Sequence, residues 1–156
     1  MANLEVYIPI IESAIQKMGV SPETTRTDTP FQWSLHRGSA SVAIFMRESP
    51  SHKGPRNVLI IGSPIMKLPK DPLQAASLYR YLLELSHSAL IEAFSIYDDH
   101  VYLKTSRFVD GMDSDEVVDM LDSLSYSADF IDDQLKKRFD VNDINALDDD
   151  TDGSRT

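Results

Sequence analysis

Residues 31–47 read FQWSLHRGSASVAIFMR, and two features of this stretch decide the fold class. Phe31, Trp33 and Leu35 alternate with Gln32, Ser34 and His36, the two-residue period of a half-buried strand. Gly38-Ser39 then offers a tight hairpin, and Ala40 to Arg47 is its return strand. Both faces of that return strand are apolar, with Val42, Ile44 and Met46 on one and Ala43 and Phe45 on the other. The stretch predicts an antiparallel sheet with more apolar surface than helices on one face can cover.

Working outward, residues 57–66 form a nearly continuous apolar run, long enough only for a buried third strand. Ile91 to Tyr97 and Val101 to Lys104 flank Asp98-Asp99-His100 and read as a second hairpin. Helical stripes surround these strands. Leu4, Tyr7, Ile8, Ile11, Ile15 and Met18 recur at three- and four-residue steps up to Gly19, with Pro9 disturbing the first turn. Asp71 before Pro72 is an N-cap followed by proline at the first helical position, and Leu78, Leu82 and Leu85 carry that helix to about His87. Asp113 and Glu116 have capping-box spacing and open a long third helix. Its stripe places Leu121, Ala128 and Leu135 in the core. The expected order is α-β-β-β-α-β-β-α, an α+β fold with helices packed on an antiparallel sheet. Residues 1–139 form one domain in this reading. Residues 140–156 lose the periodicity, hold six aspartates against Arg155 alone, and read as a disordered acidic tail.

Composition narrows the function. The formal charge of −10 repels phosphate backbones and anionic lipid, so neither nucleic acid nor membrane is an expected partner. The basic run Lys136, Lys137 and Arg138 falls in the last turn of the third helix, where it offsets the helix dipole. No cysteine is present, and neither a signal peptide nor a bilayer-length apolar run is visible, so a cytoplasmic protein without disulfides is expected.

Chemistry-bearing patterns are sparse. Asp148, Asp150, Asp152 and Gly153 match the opening of a calcium loop, but no bidentate glutamate can follow before Thr156, so a solvated acidic segment is the better reading. His36, His52, His87 and His100 are scattered, without ligand spacing. Asp98-Asp99-His100 has the residues of an acid/base cluster, yet Asp-Asp is also what a hairpin turn favours. Ser86-His87-Ser88 lacks a nucleophile elbow, and six separate glycines build no phosphate loop. The expectation is no catalysis, no metal and no cofactor.

The order of elements, the Trp33 strand, the LPKDP turn at 68–72, the YDDHVYLKTSR hairpin at 97–107 and the helix LSYSADFIDDQLKKRF at 124–139 resemble the YbjN-like family. The resemblance spans Leu4 to Phe139. That family is similar in fold to the class I type III secretion chaperones, which pair as homodimers and hold partner polypeptides in extended form. The resemblance implies a homodimeric, protein-binding, chaperone- or adaptor-like module. An effector-specific secretion chaperone and a small-molecule sensor domain are the alternatives. From the apolar faces, Phe31, Trp33, Leu35 and Phe45 are the candidates for binding a partner, the first three being candidates for core as well. Leu78, Leu82, Leu85 and Phe94 are the candidates for a dimer interface.

Overall fold

A computed structural model describes residues 3–89 and 91–139, with Lys136 described only in its backbone. A short 3-10 turn at Leu4–Tyr7 leads into α1, Ile8–Lys17, so Pro9 lies at the start of the regular helix, where no amide is needed. Gly19, with φ of 83°, ends it. The strands β1 (Gln32–Arg37), β2 (Ala40–Ser49) and β3 (Arg56–Lys67) follow in succession. Next come α2 (Pro72–Ser88), β4 (Ala93–Tyr97), β5 (His100–Phe108) and α3 (Ser114–Arg138). The expected α+β order is the observed one.

The five strands form one antiparallel sheet in the order β1-β2-β3-β5-β4. β5 runs four residues beyond the expected Lys104 because it pairs along most of β3, from Lys67↔His100 to Val58↔Phe108. No alternation in the sequence of residues 105–108 announces this; the neighbouring strand imposes it. At the β4–β5 turn Asp98 and Asp99 have φ of 50° and 58°, the left-handed pair of a type I′ hairpin, which aspartate tolerates better than most residues.

Sidedness follows from the register. Trp33, Ile44, Ile61 and Thr105 share one row across the sheet, and all four are buried. α1 and α3 lie over this face, and Ile11, Ile15, Leu121 and Leu124 join the sheet residues in the main core. A second cluster, Leu78, Leu82, Val101, Ile131 and Leu135, fastens α2 to the end of α3 and to β5. The caps agree with the sequence. The Asp71 side chain accepts from the Gln74 amide at 3.1 Å. The Asp113 side chain accepts from the Glu116 amide at 2.8 Å, while the Glu116 side chain accepts from the Asp113 amide at 3.0 Å. The acidic tail at 140–156, with its calcium-loop pattern, lies outside the described residues.

Candidate protein-binding surfaces

The aromatic row that opens β1 divides between core and surface. Trp33 and Leu35 are 2% and 3% exposed and face α1 and α3. This corrects their assignment to a partner, because the helices of the same chain already cover them. The indole of Trp33 also has its polar edge satisfied: its Nε1 donates to Glu12 Oε1 at 3.2 Å. Glu12 in turn accepts from Arg26 Nε at 2.6 Å and from Arg26 Nη2 at 2.8 Å, a two-pronged pair. The Arg26 guanidinium holds the Glu12 carboxyl below the usual carboxylate range; partial burial opposes this and the Trp33 indole adds to it. The pair ties α1 to the segment before β1, where Ser34 donates its amide to Thr25 O at 2.7 Å. Thus the loop at 20–30 partly closes the free edge of β1.

Phe31 is half-buried against the core and holds a left-handed φ of 59°, which is strained for a bulky residue. Its carbonyl accepts from the Met46 amide at 3.0 Å, which helps to fix the conformation. Phe45 alone of the four partner candidates stands on the sheet face that carries no helix among the described residues. There it shares a row with Ile60, and the adjacent row pairs Val58 with Phe108, which is 40% exposed. Ile60 is itself buried, whereas Val58 and Phe108 extend the apolar surface beyond what residues 31–47 disclose. The continuous run at 57–66 held the signal, since a strand apolar at successive positions must place some of them on each face.

The dimer candidates divide in the same way. Leu78 and Leu82 are buried against Ile131 and Leu135 of the same chain, so their stripe is intramolecular core and not a free interface. Leu85 and Phe94 are half-buried beside them. What α2 presents outward is Leu73 and Leu83, 82% and 70% exposed, neither visible in the three-leucine stripe. Among the described residues β4 has a partner strand on one side only, and it exposes Ile96 and Tyr97. α2 and the β4 edge therefore each carry exposed apolar residues.

Among the described residues, no group of three His, Cys, Asp or Glu side chains is placed to hold a metal ion. The Nδ1 of His100 lies 2.7 Å from Asp98 O, a contact within its own turn. No described helix is long and apolar enough to cross a membrane. Every buried side-chain nitrogen or oxygen among the described residues has a hydrogen-bond partner.

No family model matches the chain, and no curated protein does either. Solved structures do resemble it. One is in the HopA1–SchA chaperone–effector complex, with a TM-score of 0.56 and 10% identity, covering 85% of this chain and 99% of that one. Another is in the ExsC–ExsE complex, with a TM-score of 0.53 and 14% identity, covering 85% of this chain and 95% of that one. The chain therefore has a secretion-chaperone-like α+β fold.

Proposed function

We propose that the protein is a non-catalytic, chaperone- or adaptor-like module that holds a partner polypeptide on a dimeric α+β scaffold. The observation that carries this reading is the one-sided sheet. α1 and α3 cover one face, while the other keeps Phe45, Val58 and Phe108 at or near the surface. An apolar surface on a folded domain marks a docking region more often than not when it spans several strands. The likeness to one protein of a chaperone–effector complex supports a polypeptide as the occupant. The outer side of α2 with the β4 edge is the surface suited to a second copy, because an isologous contact needs a self-complementary patch and β4 offers an unpaired strand edge. Assignment to the YbjN-like family rests on the short strings quoted above, and a cytoplasmic setting rests on the absence of cysteine.

Gentle crosslinking in the native cells, purification of the chain and mass spectrometry of what is bound to it test the reading. A polypeptide held in stoichiometric amount is the expected result. Recovery of the chain alone, or of a small molecule in place of a polypeptide, refutes it.

A further inference from the structure

The helix-free face of the sheet differs in charge from the rest of the molecule. Its strand positions carry Arg47, Arg56, Lys67 and Lys104 and hold no Asp or Glu, in a chain whose net charge is −10. Arg56 lies 3.4 Å over the Phe108 ring and 2.9 Å from the Asp110 carboxylate, which fixes one cation beside an aromatic surface. The relief of the face is also uneven. Ser34, Ala43 and Gly62 line up across β1, β2 and β3, and the same row continues through Lys104 of β5 to Ala93 of β4. Phe45 and Ile60 stand in the next row along the strands. A strip of small residues thus crosses the sheet beside a taller apolar row, with Lys104 near one end and Arg47 on the far side of that row.

We infer that this strip receives an extended partner segment that alternates carboxylate and apolar side chains. The inference rests on the protein-binding reading above and supplies the chemistry of the partner. Apolar side chains of the segment fit over Ala43 and Gly62 against Phe45, and its carboxylates meet Arg47 and Lys104. The strip crosses the strands, so recognition runs through side chains and not through strand addition at an edge. The negative field of the molecule disfavours acidic ligands elsewhere, which confines such a segment to this face.

The test uses the full chain and a short fluorescein-labelled peptide of alternating Glu and Leu, with a Lys–Leu peptide as its counterpart, followed by anisotropy. Binding of the Glu–Leu peptide alone, weakening with added salt, is expected. The double reversal Arg47→Glu, Lys104→Glu should weaken it by about tenfold or more. Gly62→Ala places a methyl group in the strip. The Cβ there meets only the Leu103 carbonyl oxygen at 3.6 Å and the Lys104 Cβ at 3.7 Å, both ordinary contacts, so an unchanged melting temperature shows that loss of binding is local. Equal binding of both peptides, or binding indifferent to these substitutions, overturns the inference. So does a benzoylphenylalanine at position 47 that crosslinks to residues 140–156 of the same chain or to a second copy in preference to the peptide. If the partner recovered from cells binds the doubly reversed chain unchanged, the inference falls while the proposed function stands; if no polypeptide partner is recovered, the proposed function falls with it.

Discussion

Leu121→Ala is the perturbation that most directly probes how α3 is held. Leu121 is fully buried in the main core, and α3 packs there against both α1 and the sheet. Truncation removes about three carbons, worth roughly 0.8 kcal/mol each by transfer, or about 2.4 kcal/mol. A residual cavity adds to this, at about 24 cal/mol per Å³ of unfilled space. α3 is anchored by a capping box at one end and by the Leu78–Leu135 cluster at the other, so it has little freedom to collapse into the gap. A total near 3 to 4 kcal/mol is therefore expected. The neighbouring Asp122 is exposed and bonds Arg37 at 3.1 Å, a surface pair worth at most about 1 kcal/mol, so Asp122→Ala is the matched control. Urea unfolding followed by circular dichroism measures both, with the slope watched for a change in the unfolded state. A cost below about 1 kcal/mol for Leu121→Ala, or equal costs for the two variants, would refute the packing argument.

Trp33→Ala should cost roughly 3 to 5 kcal/mol and lower the melting temperature equally at every protein concentration, since Trp33 is core within one chain; a loss that shrinks as concentration rises would return Trp33 to an interface. Because Arg26 and Trp33 hold the Glu12 carboxyl below its unfolded range, the folded state binds fewer protons there. The stability Glu12 contributes is fully present above the unfolded carboxylate range and is lost as pH falls below it and through the lower folded value, so Glu12→Gln should flatten the acid limb of a stability–pH profile and leave the alkaline limb unchanged. Light scattering should give about twice the 17.5 kDa chain mass at micromolar concentration, and Leu83→Glu on the outer side of α2 should raise the dimer dissociation constant by about tenfold or more. A single-chain mass across the whole range, or a dimer indifferent to Leu83→Glu, would remove α2 as the pairing surface.

Most of the architecture is local in origin, and for that reason it was legible in the sequence. The Trp33-Leu35 alternation, the Asp71 and Asp113 caps, the Asp98-Asp99 turn and the Leu121-Ala128-Leu135 stripe each express a preference set within a few residues, and each matches its element; Phe31, with its left-handed φ, falls just outside β1. Periodicity also showed that β2 is apolar on both faces. It could not say which face the helices would take, because sidedness depends on strands far apart in the chain. The pairing β3–β5 joins Val58 to Phe108, and that long-range register extends β5 and brings Phe108 beside the Val58 of the helix-free face. The buried stripe of α2 likewise looked available to a second copy until Ile131 and Leu135 filled it from within the same chain. A hydrophobic stripe specifies that a residue will leave water, whereas only the three-dimensional arrangement decides whether the surface that covers it belongs to the same chain or to another.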